Sequence, residues 1–132
     1  MTYLIDTNVL VYGLDSGHPE KKSRAAAWLA YLARRDEGVL STQALSELSR
    51  VCLWKLRPPW TPDEVADHVH ALARVFTVVS VTTAVVGEAL RGVRDHHLSY
   101  FDAQMWAAAR LNDAPFLLTE NMASGATLDG VS

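Results

Sequence analysis

The sequence predicts a single α/β domain in which a short parallel sheet is flanked by helices. Short apolar runs, several of them β-branched, alternate with longer segments whose apolar residues recur at helical spacing, a pattern typical of parallel sheets. The chain has 132 residues, of which 49% are hydrophobic and 20% are charged, so residues 1–132 are sufficient for one domain with its own core. In such sheets ligands bind beyond the carboxyl ends of the strands, so the functional residues are expected there.

The composition excludes several classes of protein. The only cysteine is Cys52, so the sequence predicts neither a disulfide framework nor a cysteine-based metal site, and the cytoplasm is the expected location. The first residues lack the basic segment and long apolar run of a signal peptide, and no apolar run approaches the length of a membrane span. With a net charge of −3, the chain would contact nucleic acid through local patches or through metal ions that offset acidic groups.

The first half of the chain contains two predicted strands and two predicted helices. Tyr3–Ile5 is predicted to be a short buried strand, followed by a loop over residues 13–19. Residues 20–35 are predicted to form a helix because their apolar side chains share one face. Gly38 precedes a short strand at residues 39–40. The second helix is predicted from the helical spacing of four apolar residues: Leu45, Leu48, Cys52 and Leu56.

A local signal marks the start of the next helix, after a break at residues 57–60. Thr61 is placed to be the N-cap, Pro62 occupies the first helical position, and Glu64 supplies the acid of a capping box. The predicted core face of this helix consists of Val65, Val69, Leu72, Ala73 and Phe76.

The last part of the chain repeats the alternation of strands and helices. Residues 77–82 are β-branched and apolar and predict a strand. Helices are predicted at residues 83–94 and 99–111, and a final strand at residues 115–119. The tail carries little pattern beyond a short strand that could follow Gly130.

A carboxylate follows directly after the first predicted strand. Asp6, Thr7 and Asn8 interrupt apolar residues on both sides. Removing an ionised carboxylate from water is costly unless it is paired, hydrogen-bonded or bound to a metal. One interpretation is therefore a functional carboxylate at the sheet edge. The other is an Asx turn, in which Asp6 and Asn8 cap the backbone that follows.

Three further polar residues lie near strand ends or helix starts. Glu47 lies in the helix after the second strand, where the alternative is a solvated acid paired with Arg50. Asp102 lies in the first turn of a helix, where the alternative is a charge that complements the helix dipole. Asn121 follows the last strand, where the alternative is an ordinary turn residue.

Oxygen ligands without histidine or cysteine suit a hard cation such as Mg²⁺ or Mn²⁺. The side chains that could supply them are Asp6, Glu47, Asp102 and Asn121. Such an ion could activate water and neutralise charge that develops on a phosphate during displacement. The sequence therefore permits a metal-assisted hydrolase of phosphate esters.

Four motifs resemble, in order and spacing, those of the PIN domain. They are DTNVL at residues 6–10, SEL at residues 46–48, YFDA at residues 100–103 and LLTEN at residues 117–121. Within this family the chain is similar to the VapC-type toxins of bacterial toxin–antitoxin pairs. The resemblance covers nearly the whole chain, and four ordered motifs are much more specific than any one of them.

The resemblance implies a three-layer α/β/α fold with a short parallel sheet, and a metal-dependent endoribonuclease that a cognate antitoxin inhibits. The residues implied to bind Mg²⁺ or Mn²⁺ are Asp6, Glu47, Asp102 and Asn121, of which the three acids are also the implied catalytic residues. Thr7, Asn8 and Thr119 are implied to support the site. The expected partners are the RNA substrate, the antitoxin and a second copy of the chain in a homodimer. No residue is assigned to RNA binding by the resemblance.

Asn121 departs from the family pattern, which commonly has aspartate at this position. An amide oxygen can bind a hard cation but contributes no charge, so metal affinity should be weaker. Glu120 could swing in to compensate, although adjacent side chains on a strand point in opposite directions. The alternative function is therefore a catalytically weakened protein of this family that binds RNA or a partner.

Basic and aromatic residues are mixed in one further segment, formed by Arg50, Trp54, Lys55, Arg57 and Trp60. Such a mixture could contact RNA or an antitoxin, and the alternative is ordinary surface.

Two other kinds of site have less support. A phosphatase with an aspartyl nucleophile would require a second acid two residues after Asp6, where the chain has Asn8. Histidine ligation of a metal is not expected, since His68 and His70 lie on different helix faces. Glu88 is predicted to be a surface acid of a helix, although a position near the acidic cluster stays open.

Overall fold

A computed structural model describes residues 1–119 and 127–132. The elements in chain order are β1 (Tyr3–Ile5), α1 (Thr7–Tyr12), α2 (Pro19–Arg35), β2 (Gly38–Ser41), α3 (Thr42–Trp54), α4 (Pro62–Val75), β3 (Thr77–Val79), α5 (Thr83–His96), α6 (Tyr100–Leu111) and β4 (Phe116–Leu118). The strands form one sheet in the order β3-β2-β1-β4, and every pairing is parallel. The predicted α/β fold, a short parallel sheet flanked by helices, is confirmed.

The register of the sheet brings the carboxyl ends of the central strands together. In β1, Tyr3 pairs with Gly38 of β2 on one side and with Phe116 of β4 on the other. The ladder between β1 and β4 continues past the strand ends, because the backbone N–H of Asp6 donates to the carbonyl of Leu118 at 2.9 Å. Residues that follow β1 and β4 therefore lie side by side at one edge of the sheet.

Helix α6 is buried along most of its length and packs between the sheet and α5. Seven consecutive residues, 103–109, are buried, and four of them are alanines. Small side chains let neighbouring elements approach closely, and Gly92 of α5 lies directly over the indole of Trp106. Trp106 is 1% exposed, and its Nε1–H donates to the carbonyl of Leu128. A helix that is buried on all sides in this way is a core element of the domain.

Because α5 approaches α6 closely at Gly92, adding a single methyl group there should lower the stability of the fold. A Cβ added at Gly92 would lie 2.8 Å from two ring atoms of Trp106, so Gly92→Ala should lower the free energy of unfolding by about 1–3 kcal/mol. Gly87→Ala is the matched control, because a Cβ there meets nothing within 4 Å and should raise stability by about 0.5–1 kcal/mol. Denaturant unfolding of the two variants measures both effects, and equal stabilities would contradict the packing described.

Several local predictions are confirmed. The Thr61 hydroxyl accepts from the Glu64 N–H, and the Glu64 carboxylate accepts from the Thr61 N–H, as a capping box requires. The helices predicted at residues 20–35 and 99–111 correspond closely to α2 and α6.

Other local predictions are wrong or incomplete. Helix α1 was not predicted, because its six residues are too few to show the helical spacing of apolar side chains. Strand β3 ends at Val79 rather than at residue 82, where Thr82 instead caps α5 through its side chain. Ala73 faces solvent rather than the core, and Leu56 lies beyond the end of α3. Among residues 127–132, Leu128 and Val131 form an isolated bridge, and no strand follows Gly130.

Ion pairs fasten the C-terminal segment to α5 and α6. Arg91 bonds both Glu88 and Asp129, and Asp129 also contacts His96 at 2.9 Å. Glu88 additionally pairs with Arg110 of α6. Glu88 is therefore part of this network, as a helix-surface acid, and not of the acidic cavity described below. Among the described residues, no helix has both the length and the apolar character needed to cross a membrane.

Candidate active site

The end of β1 places a nearly buried carboxylate at the sheet edge. Asp6 is 5% exposed and occupies the N-cap position of α1, yet its side chain makes no N-cap hydrogen bond to that helix. Its Oδ2 instead accepts a 2.6 Å hydrogen bond from the hydroxyl of Thr119, which follows β4. The interpretation of Asp6 as a simple helix cap is therefore not supported, because its carboxylate is directed toward the neighbouring strand.

Glu47, in the second turn of α3, is held by donors on two elements. The Thr7 hydroxyl donates to Glu47 Oε1 at 2.9 Å, and Gln43 Nε2 donates to the same oxygen at 3.0 Å. Thr7 is 8% exposed and Gln43 is 7% exposed, so both donors are largely shielded from solvent. No ion pair with Arg50 is formed in the described part of the chain, which removes the interpretation of Glu47 as one half of a surface pair.

A chain of hydrogen bonds connects Glu47 to α6. The Tyr100 hydroxyl donates to Gln104 Oε1 at 2.8 Å, and Gln104 Nε2 donates to Gln43 Oε1 at 2.9 Å. Gln43 also donates to the carbonyl of Phe101 at 3.2 Å. The two glutamines are the only ones in the chain, each is 7% exposed, and they satisfy one another's polar groups. This network fixes the Glu47 carboxylate relative to the first turn of α6.

Asp102 lies in that first turn of α6 and is partly buried. Its position also suits a charge that complements the helix dipole, so the alternative reading is compatible with the structure. However, Asp102 lines the same cavity as Asp6 and Glu47, and its negative charge raises the pKa of Asp6. The structure thus brings the three acids predicted from the sequence to one cavity of about 380 Å³.

Asn8 is the least satisfied polar residue of this cavity. Its amide oxygen and amide nitrogen are both buried, and neither has a hydrogen-bond partner among the described residues. A buried amide without partners costs roughly 1–3 kcal/mol, and such a group in a native fold is a candidate for contact with a ligand, an ion or water. Asn8 therefore makes the cavity a candidate binding site.

Burial and neighbouring charges perturb the pKa of Asp6. Burial raises the pKa of its carboxyl above the ordinary value of 3.8, and the negative charges of Asp102 and Glu47 raise it further. The Thr119 hydroxyl and the Thr7 backbone N–H lower the pKa and oppose this increase in part. A cation in the cavity would relieve the repulsion among the three acids.

The donor set fits a hard divalent cation in its chemistry. The cavity presents carboxylate oxygens from Asp6, Glu47 and Asp102 and the unsatisfied amide of Asn8, with His18 as the only imidazole among its lining residues. Oxygen donors of this kind are those that Mg²⁺ and Mn²⁺ prefer. Among residues 1–119 and 127–132, however, no three such acids or other ligating side chains are already gathered closely enough to hold one ion. The side chains would have to move inward to bind it.

Two sequence candidates lie outside the described residues. Asn121, predicted as the fourth oxygen ligand, and Glu120 both fall between residues 119 and 127. Thr119, predicted as a supporting residue, is described and contacts Asp6 directly.

Histidines are placed away from the three acids, with one exception. His68 packs edge-on against Trp60, and burial lowers its pKa. His96 packs against Trp106 and contacts Asp129. Only His18 reaches the acidic cavity, where it lies 3.8 Å from Asp15.

Gln43 and Gln104 were missed by sequence reasoning. A signal for each exists in the spacing, since Gln43 lies four residues before Glu47 and Gln104 four residues after Tyr100, the spacing at which helical side chains meet. That the two glutamines bond one another follows only from the packing of α3 against α6.

Comparison with known proteins gives one family and several similar structures. The family model for the PIN domain matches residues 3–122. A toxin–antitoxin complex from Klebsiella pneumoniae contains a chain with a TM-score of 0.67 at 21% identity, and the match covers 99% of this chain and 96% of that one. VapC20 of Mycobacterium tuberculosis, a toxin that cleaves the sarcin–ricin loop, has a TM-score of 0.69 at 17% identity, covering 97% and 98% of the two chains. VapBC2 of Rickettsia felis, bound to a DNA fragment of its promoter, has a TM-score of 0.62 at 17% identity, covering 92% and 89%. No curated protein matches in sequence.

Proposed function

We propose, from the premise that this chain belongs to the PIN domain family, that it is a metal-dependent endoribonuclease toxin held inactive by a cognate antitoxin. The observation that carries the proposal is the meeting of Asp6, Glu47 and Asp102 at one cavity at the carboxyl edge of a parallel sheet. Three carboxylates at one site repel one another unless they are protonated or share a cation. The similarity in fold to chains described as RNA-cleaving and antitoxin-bound toxins supports the choice of reaction and partner.

In this proposal Asp6, Glu47 and Asp102 hold one or more Mg²⁺ or Mn²⁺ ions, with Asn121 as a further oxygen ligand. When bound, such an ion supplies an activated water and offsets the charge that develops on the phosphate. Thr119 holds the Asp6 carboxylate and Thr7 with Gln43 holds that of Glu47, so each acid has a defined orientation from which a short movement would bring it to the ion. Phe101 lines the cavity and is largely exposed, so it is available to contact the substrate.

RNA is the proposed substrate, in single strands or loops where unstacked bases are accessible. The test is cleavage of a structured RNA with single-stranded loops by purified protein that has been stripped of metal and then supplied with Mg²⁺ or Mn²⁺. Cleavage should require the added ion and should stop in excess chelator. Expression in a bacterial host should arrest growth, and co-expression of a small protein encoded immediately upstream should relieve the arrest. Full cleavage in chelator would contradict the proposal.

A homodimer is the proposed assembly. Three apolar side chains of α5, Val86, Leu90 and Val93, are 37%, 57% and 36% exposed and recur at helical spacing. An exposed apolar stripe of this kind marks an interface. Light scattering at micromolar concentration should give the mass of a dimer, and a monodisperse monomer would contradict the assembly without affecting the nuclease proposal.

Restoring a carboxylate at residue 121 should strengthen the proposed metal site. In the proposed site, Asn121→Asp would add a negative charge next to the bound cation and should tighten Mn²⁺ binding roughly tenfold, which corresponds to about 1.4 kcal/mol. Calorimetric titration measures the affinity, and cleavage at increasing Mn²⁺ should reach its half-maximum at a correspondingly lower concentration. Ala66→Asp, which adds the same charge on an exposed face of α4, is the control and should leave both unchanged. Equal affinities for wild type and Asn121→Asp would remove residue 121 from the site.

A role in RNA or partner binding without cleavage is the second candidate. It is favoured by the amide at residue 121 and by the absence, in the described residues, of three acids already gathered to hold an ion. Binding of RNA by wild type without cleavage at any Mn²⁺ concentration would support it. Recovery of cleavage in Asn121→Asp would then identify the amide as the cause.

A further inference from the structure

We propose that Lys55 and Arg57, with Trp60, form a second RNA site that binds the strand several nucleotides away from the acidic cavity. The proposal rests on the proposed ribonuclease function and deepens it by assigning part of the substrate to a defined cleft. The site is a cleft of about 600 Å³ between the loop after α1 and the segment that connects α3 to α4.

The cleft contains cations that the protein itself does not neutralise. On α5 and α6, Arg91, Arg94 and Arg110 are all paired with acids. Lys55 and Arg57, by contrast, are exposed and make no ion pair with any described residue. Unpaired cations in a chain of net charge −3 are available for an anionic ligand.

The acids that border the cleft are already engaged elsewhere. The Glu64 carboxylate accepts the Thr61 N–H in the capping box of α4. The Asp15 carboxylate accepts the Gly17 N–H at 2.9 Å and lies near His18. Neither acid forms an ion pair with Lys55 or Arg57 within the described chain. The two cations are therefore the groups of the cleft that lack a charged partner.

Helix α3 connects the cleft to the acidic cavity along one face. Glu47, Val51 and Lys55 follow one another at intervals of four residues, so they lie on the same side of the helix. Glu47 and Val51 line the acidic cavity, Lys55 lines the cleft, and Asp15 borders both. At a helical rise of 1.5 Å per residue, the eight residues from Glu47 to the C-cap Lys55 span about 12 Å, a distance that a few nucleotides of a single strand can bridge.

Aromatic rings complete a surface suited to a single strand. Trp60 lines the cleft and is held in place by edge contact with His68 at 5.4 Å between ring centroids. Trp54, immediately before Lys55, is 70% exposed. A path that combines cations for phosphates with rings on which bases stack is the chemistry of single-strand binding. An acidic protein segment would use the cations but would gain nothing from base stacking, so we assign the cleft to RNA.

The test is RNA binding by the double variant Lys55→Gln/Arg57→Gln, measured with a labelled mixed-sequence 12-nucleotide RNA in excess chelator so that no cleavage occurs. We expect affinity to fall about tenfold. The slope of log K against log salt should become less steep by about 1.4, since each phosphate contact on a single strand contributes about 0.7. The matched control is Arg34→Gln/Arg74→Gln, which removes two exposed cations outside the cleft that also make no ion pair in the described chain. It should stay within about twofold of wild type.

Further variants make the result decisive. Lys55→Glu/Arg57→Glu should weaken RNA binding more than the neutral pair, and thermal unfolding should show that every variant is folded. An equal loss in the cleft pair and the control pair, or an unchanged slope, would overturn the proposal. A loss of binding to an acidic peptide with unchanged RNA binding would assign the cleft to a protein and would also overturn it.

Asp102→Asn separates this proposal from the proposed function, because that variant should bind RNA without cleaving it. If the wild-type protein binds no RNA, the proposed RNA site and the proposed ribonuclease function are both contradicted.

Discussion

Asp6→Asn is expected to reduce RNA cleavage by at least 10²- to 10³-fold, the order of loss that follows removal of one electrostatic element of an active site. The Asn side chain can still accept the Thr119 hydroxyl that now bonds Oδ2 of Asp6, so the local geometry should survive. What is lost is the negative charge that the proposed cation requires. Single-turnover cleavage at saturating Mn²⁺ measures the loss. Asp67→Asn, which removes an exposed acid of α4, is the control and should cleave like wild type.

The same variant makes a prediction about stability and pH. The pKa of Asp6 is raised in the folded chain, so the folded state prefers the protonated carboxyl. The resulting contribution to the free energy of unfolding is fully present below the ordinary pKa of 3.8. As pH rises from 3.8 through the raised pKa, the wild type without metal loses stability, whereas Asn has no such titration. The Asn variant should therefore gain stability relative to wild type over that interval and keep the gain at neutral pH. Denaturant unfolding in chelator at several pH values checks this, and a variant less stable than wild type at pH 7 would contradict it.

Gln43→Leu is expected to lower cleavage by about 10- to 100-fold, because partners that orient metal-binding carboxylates have effects of this size. The substitution removes one of two donors to Glu47 and leaves the Nε2 group of Gln104 buried without its acceptor. That unsatisfied group should cost roughly 1–3 kcal/mol of stability. Mn²⁺ titration should show weaker binding, as expected if Gln43 positions a ligand.

A double variant separates the positioning role from a structural one. In Gln43→Leu/Gln104→Leu both partners of the buried bond become apolar, so stability should recover in part, although the Tyr100 hydroxyl loses its acceptor. Metal affinity and cleavage should not recover, because Glu47 still lacks the Gln43 donor and keeps only that of Thr7. Recovery of cleavage together with stability would show that Gln43 serves only the fold.

Local signals account for what the sequence predicted well. The start of α4 was predictable because the capping box lies within four residues, and strands β1 and β4 because short apolar runs end in polar residues. The acids Asp6, Glu47 and Asp102 were predicted from their positions after strands and at helix starts, and the fold carries all three to one cavity. Their chemical roles remain predictions.

What sequence reasoning missed depends on distant contacts. Asp6 occupies the N-cap position of α1, but its side chain bonds Thr119, which is 113 residues away in the sequence. Helix α1 therefore begins without the side-chain cap from which its start could have been predicted. Gln43 and Gln104 are 61 residues apart and meet only because α3 and α6 converge at the site. Each glutamine alone resembles an ordinary polar residue of a helix, and no local pattern reveals that the two share a hydrogen bond.

The C-terminal residues also protect an edge of the sheet. β4 is an outer strand, and its outward N–H at Leu117 donates to the carbonyl of Ser132, while the Ser132 N–H donates to the carbonyl of Pro115. An uncovered edge offers its backbone groups as a template for strands of other molecules, and this is a common route to aggregation. Ser132 therefore covers part of the outer edge of the strand that precedes Thr119, the residue that bonds Asp6. A change that removes this cover should favour aggregation through β4.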